Sequence, residues 1–112
     1  MNNLIFGSGL SSYKDEKGLY NVCSTAIDNG ITAFDTAPSY KTEETLGHVL
    51  NMIRNERNLS RTSVWIQTKI DPIQMYNGHI VEYFKGKLKS MGLDYVDALF
   101  IHWPVYKYFR NT

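Results

Sequence analysis

The 112-residue sequence predicts a single α/β domain, residues 1–112, built from successive βαβ units. Two observations predict it. Short apolar runs rich in β-branched and aromatic residues alternate with segments of helical spacing, and Gly, Asn or Pro punctuates nearly every junction. The polar residue that ends each of the later strands also recurs at an almost constant interval.

Taken in order, Leu4–Phe6 forms a weak first strand ending at Gly7. Asp15 is placed to cap a helix in which Leu19, Val22, Cys23, Ala26 and Ile27 recur at three- and four-residue steps, and Asn29-Gly30 supplies its left-handed close. A second strand lies near 33–35, within "ITAFD". Thr42 is placed to cap the next helix, Glu43 and Glu44 suit its positive end, and Leu46, Val49, Leu50 and Ile53 make its buried stripe. The third strand covers 64–69. A helix carrying Ile80, Tyr83, Phe84, Leu88 and Met91 follows and stops at Gly92, and the fourth strand spans 96–102, before Pro104. The tail after it has no clear period.

Asp35, Lys69 and His102 therefore close strands two, three and four, at intervals of 69 − 35 = 34 and 102 − 69 = 33 residues. In parallel α/β folds the C-terminal strand ends are where ligands bind, so these side chains are expected on one rim. Each also has an ordinary reading. Asp35 suits a turn, Lys69 a solvated strand end, His102 a packed imidazole, and Tyr40, one of eight tyrosines, a surface or packing position. Their joint placement is what favours chemistry. An ammonium beside a phenol favours the phenolate and makes Tyr40 a better acid. Asp35 would balance and orient the lysine, and a histidine would polarise a carbonyl oxygen by hydrogen bonding. Such a set suits protonation of an oxygen that gains charge as its carbon accepts hydride, and the hydride must come from a cofactor.

Composition narrows the partners. Twelve Lys and Arg against eleven Asp and Glu, well scattered, leave no basic stripe for nucleic acid or anionic lipid. A lone cysteine, Cys23, makes no internal disulfide, and no Cys/His spacing resembles a metal site, so no metal is expected and a reducing cytoplasm is. The N-terminus lacks the pattern of a signal peptide, and no apolar run nears the roughly 18 residues of a membrane span.

Three stretches, "GITAFDTAPSYKTEETLGHVL", "VWIQTK" and "LKSMGLDYVDALFIHWP", resemble signature regions of the aldo-keto reductase family, in order and with similar gaps. The resemblance covers most of residues 30–104. It implies that Tyr40 is the general acid, that Lys69 and Asp35 tune it, and that His102, with Trp103 beside it, meets a small carbonyl substrate. It also implies NADPH, or NADH, as hydride donor, with Gly7, Gly9 and Asp35 on the cofactor side. The fold it implies is an eight-stranded (β/α) TIM-type barrel, of which this chain carries about the first four units, a half barrel, since a full barrel takes about 250 residues. Two local departures stand out: Lys41-Thr42 replaces the family's usual Gly-Asn, and Leu10 follows the Gly7-Ser8-Gly9 element in place of a common threonine.

Half a barrel exposes two strand edges, so self-association, or the remainder of a longer chain, is expected, as is weak or absent activity for these residues alone. Two other readings stand beside this one. The first is a non-catalytic truncated barrel serving as an assembly or interaction module. The second is a small Rossmann-like dinucleotide binder, disfavoured because "LSSYKDE" separates the glycines from the first helical stripe and Ser12 takes the third fingerprint position.

Overall fold

A computed structural model describes residues 4–8, 15–38, 42–71 and 78–101. The elements run β1 (Ile5–Gly7), α1 (Glu16–Asp28), β2 (Ala33–Asp35), α2 (Glu43–Arg57), β3 (Trp65–Ile70), α3 (Ile80–Met91) and β4 (Ala98–Ile101), with a short 3-10 turn at Arg61–Ser63. Gly9, Tyr40, His102 and Trp103 lie outside the described residues.

The four strands form one parallel sheet in the order β1-β2-β3-β4. Sequential parallel neighbours joined by helices are the barrel type of winding, in which every crossover has the same hand and the sheet never doubles back. β3 ends at Ile70, one residue beyond Lys69, so the lysine sits inside its strand.

Each helix end has a local cause. The Asp15 carboxylate accepts from Gly18 N at 2.6 Å, capping α1 as expected, and α1 closes at Asn29 with Gly30 at φ 82°. Gly92 ends α3 at φ 71°, and its carbonyl accepts from the Asn51 amide of α2 at 2.7 Å. Thr42 takes the cap position of α2, but its hydroxyl makes no cap hydrogen bond; it donates instead to the Ser8 carbonyl at 3.0 Å. The expected capping bond is given up for a tie between α2 and the end of β1.

The core lies between the sheet and the helices. Leu19, Cys23 and Ala26 of α1, Leu46, Val49, Leu50 and Ile53 of α2, Phe34, Ile66 and Met91 form one buried cluster. The stripe expected for α2 faces it, as does that of α1 except for Val22, which is half-buried outside the cluster, while Tyr20 packs against it. That of α3 is only half-buried apart from Met91. On the opposite side the sheet is open: Ile5, Trp65 and Phe100 are 51%, 45% and 49% exposed. Parallel sheets are ordinarily covered on both faces.

Strand register is stitched at the entry side. The Arg61 guanidinium donates to the Val64 and Tyr95 carbonyls, pairs with Asp97 at 3.0 Å and lies over the Tyr95 ring. Asp97 accepts from Ile66 N at 2.7 Å. With their entries locked together, β3 and β4 run on past the last β2 pair, Asp35 with Gln67, to Ile70 and Ile101.

Candidate functional site

β3 alternates strictly. Ile66, Thr68 and Ile70 are buried toward the helices, whereas Trp65, Gln67 and Lys69 face the open side. β2 does the same over its short length: Phe34 enters the core, and Asp35 therefore shares the face of Lys69. Asp35 is paired in register with Gly7 on one side and Gln67 on the other.

The two charged groups meet. Lys69 Nζ lies 2.7 Å from both Asp35 carboxylate oxygens and donates to the Thr36 carbonyl at 3.2 Å. Gln67 Nε2 donates to Asp35 Oδ1 at 2.9 Å, and Trp65 Nε1 in turn donates to Gln67 Oε1 at 3.1 Å. The side chains of Lys69 and Asp35 are 16% and 19% exposed. Two donors on one carboxylate fix its orientation, and the bidentate contact fixes the ammonium.

The backbone beneath the pair is held as tightly. Ser8 is fully buried, and both its N–H and its hydroxyl donate to the Asp35 carbonyl at 3.0 Å. Thr36 N donates to the Gln67 carbonyl at 3.0 Å. The site thus stands at the C-terminal ends of β1, β2 and β3, the end at which parallel barrels carry their chemistry.

Asp35 and Lys69, expected to converge from their equivalent places in the repeat, do so. Gly7 stands next to Asp35, and a Cβ added to it would meet nothing within 4 Å, so the backbone there faces open space. Tyr40, His102, Trp103 and Gly9 fall outside the described residues. Among the described residues no group of three or more His, Cys, Asp or Glu is placed to hold a metal ion, and no helix is long and apolar enough to cross a membrane.

Sequence reasoning passed over Gln67, Ser8 and Thr68. Gln67 carried a signal: it shares the face of Lys69 two residues on. Ser8 and Thr68 carried none, because their roles depend on which strand end meets which helix.

The sequence model of the aldo/keto reductase family matches residues 3–109. The chain belongs to the aldo/keto reductase family. It is 32% identical over 100 residues to the uncharacterized oxidoreductase YtbE of Bacillus subtilis, covering 89% of this chain and 36% of that protein. Against the methylglyoxal reductase DkgB of Salmonella typhi it is 33% identical over 99 residues, 88% of this chain and 35% of that one. The NADPH-dependent aldose reductase GRE3 of Saccharomyces cerevisiae gives 32% over 102 residues, 89% and 31%. This aldo/keto reductase chain thus spans about a third of the length of the curated relatives it matches. Its backbone superposes on the aldose reductase of Schistosoma japonicum with a TM-score of 0.79, at 23% identity, covering 93% of this chain and 34% of that structure. The likeness establishes the barrel-type fold.

Proposed function

We propose that this chain carries the proton-donating rim of an NADPH-dependent carbonyl reductase, formed on the first four units of a (β/α) barrel. The observation that carries the reading is the Lys69–Asp35 pair, 2.7 Å apart on the open face at the C-terminal ends of β2 and β3. Family membership supports the reaction class, and NADPH is named for the GRE3 relative.

In this reading Tyr40 gives its proton to the carbonyl oxygen as negative charge grows there. Lys69 makes the phenol a stronger acid, since a nearby ammonium favours the phenolate. Asp35 holds the lysine in place, with Gln67 fixing the carboxylate in turn. His102 donates to the same oxygen, and Trp103 borders the substrate. Bound cofactor supplies the hydride. The residues present fit such a group: Gly7 offers open backbone beside Asp35, where a side chain would stand in the way. Gly9, two residues on in the sequence, is assigned to the cofactor side with it. The substrate is a small aldehyde or ketone, methylglyoxal being the one named for the DkgB relative. A lone buried Cys23 is compatible with work in the reducing cytoplasm.

For these residues alone, NADPH oxidation in the presence of methylglyoxal is expected to be slow and to vanish on Tyr40→Phe. Turnover undiminished by that change would overturn the acid assignment. Robust turnover by the parent chain would overturn the expectation of weak activity.

A second reading is favoured by one observation, the uncovered apolar face carrying Ile5, Trp65 and Phe100. On it, the chain is an assembly module with a remnant catalytic rim, and it has no affinity for NADPH.

A further inference from the structure

The first residue of α2, Glu43, is a carboxylate only 3% exposed. Interaction with the helix N-terminus does not account for this. A surface carboxylate gains about 0.3–1 kcal/mol from that position, and the adjacent, exposed Glu44 already provides it. Burying a carboxylate costs more than that unless it is paired and hydrogen-bonded.

Glu43 has both kinds of partner. The Thr68 hydroxyl, fully buried on the helix side of β3, donates to Glu43 Oε2. Lys87 Nζ of α3 lies 3.1 Å from Oε1. Burial pulls the Lys87 pKa down, but the hydrogen bond to Glu43 and its charge, with smaller help from Tyr83 and Glu44, leave it raised. Tyr83, the other titratable group facing this carboxylate from α3, has its phenol pushed up chiefly by burial.

The position of this cluster relates it to the site. Thr68 immediately precedes Lys69, so one extended strand presents the anchor on one face and the ammonium on the other. Thr42, fully buried, donates to the Ser8 carbonyl and lies 3.3 Å from the Ser8 hydroxyl, which itself donates to the Asp35 carbonyl. The start of α2 is thereby tied to β1 through Thr42 and to β3 through Glu43. Tyr40 precedes Glu43 by three residues, a chain length of at most about 11 Å.

We propose that Glu43 and Thr68 are positioning residues: their buried hydrogen bond, with Lys87 balancing the charge, pins the start of α2 to β3 and so sets the approach of Tyr40 to Lys69. This rests on the reading of Tyr40 as the acid served by Lys69. Neither residue touches substrate; each acts through the placement of the tyrosine.

The test follows the Tyr40 phenol in the full chain by NMR, with an isotope label on tyrosine Cζ and assignment by Tyr40→Phe. In the parent, the acid reading expects Tyr40 to titrate below the ordinary tyrosine value of about 10. Thr68→Val is expected to move that titration upward, Thr68→Ser to restore it, and Lys69→Gln to move it upward as a control. If Lys69→Gln moves it and Thr68→Val does not, the positioning role is overturned while the acid reading stands. If Lys69→Gln also leaves it unmoved, the acid reading falls and takes this inference with it. Should Thr68→Val not fold, Thr68→Ala, which removes the same hydroxyl without adding a methyl group, is read in the same way.

Discussion

Lys69 and Asp35 illustrate how much one ion pair can hold at the residue scale. Replacing Lys69 with Met leaves a mostly buried carboxylate without its bidentate partner. We expect a loss of about 1.5–3 kcal/mol in urea unfolding, the range for hydrogen bonds to charged groups. Replacing Asp35 with Leu in the same chain should then cost less than the two single changes summed, because the orphaned charge is gone. Cys23 makes a separate prediction. Burial pushes its thiol up to about 12, from 9.0. A group whose folded pKa is raised contributes stability that is complete below the unfolded value and is lost as pH rises toward the folded one. Urea midpoints should therefore fall between about pH 9 and 12, less steeply in Cys23→Ala, with Lys87 adding a fall of the same sign. At neutral pH the thiol should react with a disulfide reagent only on unfolding. Of these residues, the lysine–aspartate meeting was legible in the sequence, because equal repeat lengths place both at strand ends. The burial of Glu43 was not. At a helix start a glutamate already has a sufficient local reason to be there, and nothing local announces Thr68 from another strand.

Among the elements, both ends of α1 and the end of α3 were legible in the sequence, since Asp15, Asn29-Gly30 and Gly92 are strong local signals that tertiary packing did not override. Packing between helices was not legible, and Gly47 shows why. In sequence it is a weak point in α2, where Ala would gain about 1 kcal/mol of helix propensity. In the structure a Cβ at that position would lie 2.2 Å from the Met91 carbonyl oxygen and 2.8 Å from Met91 Cβ. The glycine is what lets α2 and α3 approach. Gly47→Ala should accordingly destabilise by about 1–3 kcal/mol, the range for overpacking. Gly86 of α3 is the control: a Cβ there meets nothing within 4 Å. Gly86→Ala should stabilise by about 0.5–1 kcal/mol. Thermal melts of the two variants should shift in opposite directions.

The whole molecule is a parallel sheet with one face packed and one open. Ile5, Trp65 and Phe100 lie on the open face, and Leu99 and Ile101 of β4 are also exposed on the helix side. The length of the repeat placed the rim, but short apolar runs did not show which face of the sheet the helices cover or what covers the other. A second copy related by a two-fold axis parallel to the strands would set its β1 beside β4, parallel as the ladder requires, and would cover the open face. We therefore expect the chain to associate in solution. The measurement that tests the account most directly is an NADPH fluorescence titration of the purified chain with its mass recorded on the same sample. The account predicts saturable binding by a species of two or more chains. No binding at millimolar cofactor would contradict it, leaving a reductase rim without the hydride donor it needs.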